Sequence, residues 1–85
     1  MRIVYSETAL KEFKKLDHPV QKQIKKYMDE VGNLANPRTR GKALTADFTG
    51  LWRYRVGDYR IVCDIQDELI LITVLRIAHR RKIYR

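Results

Sequence analysis

The sequence predicts an α+β fold ordered β-α-α-β-β-β, a helix hairpin packed on one side of a small, mainly antiparallel sheet. Three observations predict it. Two segments of helical apolar spacing run from Ser6 to Leu34, a turn at Gly57-Asp58 separates two alternating segments, and a largely apolar run covers Leu69 to Leu75. Helices that precede the strands, instead of alternating with them, belong together on one face of a sheet.

Each element has its own local cause. Arg2 to Ser6 alternates polar and apolar residues, with Ile3 and Tyr5 on one face, which suits an opening strand. Ser6 is an N-cap, and Ala9, Leu10, Phe13 and Leu16 form the stripe of a first amphipathic helix. Asp17-His18-Pro19 ends that helix, because a proline disfavours helical backbone in the residue before it and fits the first turn of the next. The second helix spans Pro19 to Leu34, with Val20, Ile24, Tyr27, Met28, Val31 and Leu34 as its stripe. Asn36 to Gly50 has no period and carries Arg38, Arg40 and Lys42, so it reads as a basic loop. Strands follow at Leu51 to Val56, Tyr59 to Asp64 and Leu69 to Ile77. The last is apolar on both faces, as a central strand would be. His79 to Tyr84 reads as a terminal helical turn.

At 85 residues the chain is a single domain, residues 1–85, near the lower size for a self-sufficient core. Its one cysteine, Cys63, excludes an intramolecular disulfide and a structural metal site built on several cysteines. The N-terminus lacks a signal-peptide stretch, and no run approaches the roughly 20 apolar residues of a membrane span, so a cytoplasmic protein is expected. Net charge is +8 and the pI about 9.9, which favours a polyanionic partner through counterion release.

Charge becomes informative through its spacing. Arg53 and Arg55 share one face of their strand, opposite Trp52, Tyr54 and Val56, and Arg60 on the next strand can join them. Arg76, His79, Arg80, Arg81, Lys82 and Arg85 follow in the tail. Metal-free cleavage of RNA needs a base for the ribose 2'-hydroxyl, cations for the anionic phosphorane and an acid for the leaving oxygen. Arginine supplies the second need, and His79 and Tyr84 are the candidates for the others. Each signal has a plainer alternative: a row of solvated arginines on an open sheet face, and a His79 that caps a strand end. Cys63 reads as a buried strand residue, and no zinc spacing or nucleotide-binding glycine loop is present, so neither metal nor cofactor is expected.

Taken in order, Ser6 to Leu16, Gly41-Lys42-Ala43-Leu44, Gly50 to Val62 and His79 to Tyr84 resemble the RelE/ParE superfamily of toxins from type II toxin-antitoxin systems. The resemblance implies a RelE-like, microbial-ribonuclease-like sheet and, for RelE-like members, ribosome-dependent cleavage of mRNA in the A site without a metal. It places the catalytic set on Arg53, Arg60, His79, Arg80 and Tyr84, with Arg55 positioning the backbone, and the basic residues Lys42, Arg81 and Arg85 read as further RNA-binding residues. Arg53 and Arg55 stand where RelE has lysines, which makes proton transfer at Arg53 less plausible and moves the base to His79 or Tyr84. The resemblance also implies a RelB-like antitoxin, the ribosome and mRNA as partners, and operator DNA only through the antitoxin complex. Two other classes stay open: a ParE-like inhibitor of DNA gyrase with no nuclease activity, and a basic nucleic-acid-binding module.

Overall fold

Ser6 does start the first helix. In the computed structural model, which describes residues 1–82, its Oγ accepts the Ala9 N–H at 3.1 Å and donates to the Leu75 carbonyl at 3.1 Å, tying the helix start to the sheet. The elements are β1 (Arg2–Tyr5), α1 (Glu7–Lys14), α2 (His18–Asn33), β2 (Lys42–Ala43), β3 (Trp52–Val56), β4 (Tyr59–Gln66) and β5 (Leu71–His79). With 8 residues, α1 is too short to persist alone. Gln21 of α2 closes its far end, donating from Nε2 to the carbonyls of Phe13 at 3.0 Å and Leu16 at 3.1 Å.

The sheet order is β1-β5-β4-β3-β2, and all pairs are antiparallel except β1 with β5. Ala9 of α1 and Ile24, Met28 and Val31 of α2 pack against Tyr54, Ile61, Cys63, Ile72, Val74 and Ile77, and all are buried. Burying each large side chain stabilises the fold by about 1.5–3 kcal/mol. The α+β architecture is therefore as expected, with both helices on one face.

Three details differ from the sequence-based expectation. The 36–50 segment is not featureless: it contains 3₁₀ turns at Pro37–Thr39 and Ala46–Phe48 and the added edge strand β2. Aromatic side chains of β3 fasten it down, since Tyr54 Oη donates to the Pro37 carbonyl at 2.7 Å and Trp52 Nε1 to the Arg40 carbonyl at 2.8 Å. Gly41 (φ +80°) lies so close to β3 that a Cβ there would sit 2.3 Å from the Arg53 carbonyl oxygen. Second, the apolar run enters the sheet only at Leu71, because Leu69 and Ile70 lie exposed in a turn, Ile70 with left-handed backbone. Its strand is interior, but the central position belongs to β4.

The third difference governs the functional face. Val62 pairs with Arg76 while the next residue, Cys63, pairs with Val74, so Leu75 is an extra residue on β5. A bulge of this kind reverses the facing of every residue beyond it. After β5 residues 80–82 form a turn, closed by the Lys82 N–H donating to the His79 carbonyl at 2.8 Å. The rest of the expected helical turn lies outside the described residues.

Candidate nucleic-acid interface

On the face of the sheet away from the helices, Lys42 pairs with Arg53, and Arg55 pairs with Arg60. Paired residues point to the same side, so four cations from three strands converge there. Tyr54 and Val56, alternating with the arginines of β3, are buried in the core and lock the strand's facing. Lys42 and Arg55 are exposed and Arg53 is half-buried. Arg60 is only 8% exposed, so its charge acts through a low-dielectric surrounding, and one Nη donates weakly to the Tyr59 carbonyl at 3.4 Å.

The Nε of Arg53 is buried and has no hydrogen-bond partner among the described residues. Leaving such a donor unpaired is costly, and a bound anion is a natural acceptor for it. Nor does Lys42, Arg53 or Arg55 make an ion pair among the described residues. The other arginines behave differently. Arg38 forms a two-pronged pair with Asp67 at 2.8–2.9 Å, Arg40 reaches Glu30 at 3.4 Å and stacks over the Tyr27 ring at 5.3 Å, and Arg76 is held by Glu12 at 3.0 Å. Glu12 also accepts the Ile77 N–H at 2.9 Å, closing the part of β5 that extends beyond β1. Arg76, read from the sequence as part of the basic tail, is thus removed from the grip.

His79 does not join the arginine face. The bulge turns it to the helix side, where it pairs with Tyr59 and their rings meet edge to face at 5.7 Å and 81°. Its Nδ1 accepts the Arg81 N–H at 3.3 Å. The expectation that His79 and the arginines surround one phosphate is corrected on this geometry: the imidazole lies on the opposite side of the sheet from Arg53, Arg55 and Arg60. Arg80 is brought near instead. The residue before His79, Ala78, pairs with Arg60, and the Arg80 N–H donates to the Asp58 carbonyl at 2.8 Å beside the hairpin turn. Arg81 is exposed in the following turn, while Tyr84 and Arg85 lie outside the described residues.

Burial silences three other titratable groups. It pushes the Cys63 thiol and the Tyr54 phenol well above their ordinary ranges, leaving no usable thiolate, and the Tyr5 phenol up to about 12. Sequence reasoning missed Tyr59 and its neighbour Lys15 as companions of His79. Only the bulge brings them together, and the continuous apolar run conceals the bulge.

The fold and this arginine-faced hairpin define a class of small toxin. The family model described as ParE toxin of type II toxin-antitoxin system, parDE, matches residues 3–84, and the chain belongs to the RelE/ParE superfamily of type II toxin-antitoxin toxins. It is 30% identical over 82 residues to Toxin RelG of Mycobacterium tuberculosis, covering 95% of this chain and 92% of that protein. It is 32% identical over 80 residues to mRNA interferase toxin RelE of Escherichia coli, covering 92% and 81%. A chain of the toxin-antitoxin complex RelBE2 from Mycobacterium tuberculosis superposes with a TM-score of 0.83 at 25% identity, covering 93% of this chain and 90% of that one.

Proposed function

We propose that this toxin is an RNA endonuclease that cuts mRNA on the ribosome and so stops translation. The observation that carries this reading is the convergence of Arg53, Arg55 and Arg60 on one sheet face, with a buried Arg53 Nε that lacks an acceptor. The ribose 2'-oxygen attacks the adjacent phosphorus while a base takes its proton. The bond from phosphorus to the 5'-oxygen then breaks, leaving a 2',3'-cyclic phosphate and a 5'-hydroxyl that gains a proton. Guanidinium groups supply the positive charge that the pentacoordinate phosphorane needs and keep it at any working pH. Arg60 and Arg80 serve the reacting phosphate, Arg53 and Arg55 position the backbone, and Lys42 and Arg81 extend the track.

The name of the Escherichia coli relative, mRNA interferase toxin RelE, supports the reaction, and the RelBE2 complex supports a RelB-like antitoxin as the natural inhibitor. The family model's ParE description keeps one rival, a toxin that acts on DNA gyrase. Mapping mRNA ends after induction separates the two. Ribosome-dependent 5'-hydroxyl ends inside translated codons are expected, whereas intact mRNA with gyrase-dependent DNA breaks would replace the nuclease by the gyrase inhibitor.

A further inference from the structure

We propose that the groove where Tyr59 meets His79 is a subsite for one nucleotide of the RNA, next to the reacting phosphate but on the helix side of the sheet. The proposal rests on the nuclease reading. The groove has a volume of about 330 Å³, within the range of small-ligand sites, and Lys15, Leu16, Tyr59, His79 and Lys82 line it with Glu12 and Arg76. Its chemistry is that of single-strand recognition, aromatic rings flanked by cations. Tyr59 packs against the core on one side, so its ring is held in place before any ligand arrives.

The charges of the groove are arranged for an anion. Glu12 is already committed to Arg76 and to the Ile77 N–H. Lys15 and Lys82 are exposed and make no ion pair among the described residues. Because Nδ1 of His79 accepts the Arg81 N–H, a neutral ring carries its proton on Nε2, which makes that nitrogen a donor for a phosphate oxygen or a base acceptor.

Position links the groove to the phosphate grip. Ala78 pairs with Arg60, His79 is the next residue and faces the other way, and Arg80 is fastened to the hairpin turn through Asp58. RNA held by Arg60 and Arg80 therefore has only to pass the end of β5 to lay its next base beside Tyr59 and His79. The bulge at Leu75 sets this up, since it makes His79 face the groove and leaves the facing of Ala78 to the arginines.

The test uses the full toxin on ribosomes programmed with mRNA that carries a single 4-thiouridine, moved one nucleotide at a time through and around the A-site codon. A 2'-O-methyl group at the attacking position keeps that mRNA uncut. One position is expected to crosslink to Tyr59 or His79 themselves, and Lys15→Ala/Lys82→Ala is expected to abolish that crosslink. On cleavable mRNA, His79→Ala should raise KM about tenfold, in line with the loss of one stacked base, and change kcat less than about threefold. Crosslinks that fall on Arg53, Arg55 or Arg60 with none at Tyr59 or His79 overturn the subsite and leave the nuclease standing, as does a large fall in kcat for His79→Ala at unchanged KM. If His79→Ala does not fold, the Lys15→Ala/Lys82→Ala crosslink decides alone. Wild-type toxin that neither crosslinks nor cuts overturns the nuclease reading and the subsite with it.

Discussion

Arg38, Arg40 and Arg76 each lie against a carboxylate, at 2.8, 3.4 and 3.0 Å, whereas Arg53 and Arg55 on the β3–β4 hairpin lie against none among the described residues. The two groups have the same side chain and opposite uses. Exposed ion pairs contribute little stability, so the main effect of Asp67 and Glu30 is to subtract cations from the surface available to a polyanion; Glu12 does the same to Arg76 while also accepting the Ile77 N–H. Among the cations that make no ion pair among the described residues, Lys42, Arg53 and Arg55 lie together on β2 and the hairpin. The interface is defined by the arginines that no acid pairs with among the described residues.

The largest expected effect breaks this contrast directly. Arg53→Ala/Arg55→Ala should slow single-turnover mRNA cleavage about 10²–10³-fold, since it removes prepositioned charge from the transition state. Arg38→Ala should change the same rate less than about threefold, and equal losses in the two variants would erase the distinction. Next comes the link between the two regions. Gly41→Ala puts a methyl group 2.3 Å from the Arg53 carbonyl oxygen at a φ of +80° and should cost about 2–4 kcal/mol in urea unfolding. Gly50→Ala, with φ +94° and open space around it, should cost about 1–2 kcal/mol from backbone strain alone. Similar costs would mean that the loop does not press on β3.

Glu12→Ala should destabilise the protein by about 1–3 kcal/mol, because the Ile77 N–H and Arg76 lose their acceptor together. Arg76→Ala should cost less and leave kcat for cleavage within about threefold of wild type, and a large fall in kcat there would move Arg76 into the hairpin group. The smallest effect concerns Asp67, whose carboxyl is held below its ordinary range first by its hydrogen bond from Arg38. A depressed folded pKa contributes stability above the ordinary carboxylate value, about 3.9, and loses it as pH falls through the folded value. Asp67→Asn should therefore lower Tm slightly at neutral pH, and the gap from wild type should close in acid. A gap that widens in acid would contradict the Arg38 pairing.

Much of the fold is legible in local pattern. Ser6, the Asp17-His18-Pro19 break and the stripes of both helices mark α1 and α2, and Gly57-Asp58 marks the hairpin. Arg53 and Arg55 are placed by alternation with Tyr54 and Val56, since hydrophobic burial decides which face goes inward. β2 is illegible because two residues of edge strand carry no period and are held by Trp52 and Tyr54 from elsewhere. His79 lies on the helix side, apart from the arginines it was expected to join, because β5 carries apolar residues on both faces from Leu71 to Leu75, and such a strand gives little signal of parity.

The sequence by itself determined the two helices, the hairpin and the outward facing of its arginines, since each follows from turn chemistry or from a repeat within one element. Only the tertiary structure decided which arginines stay unneutralised and which side of the sheet His79 faces. Both depend on residues distant in the chain: Asp67 across from Arg38, Glu12 across from Arg76, and one extra residue on β5 measured against β4. Local periodicity records neither a cross-chain ion pair nor a register shift, because both are settled when strands pair and side chains pack.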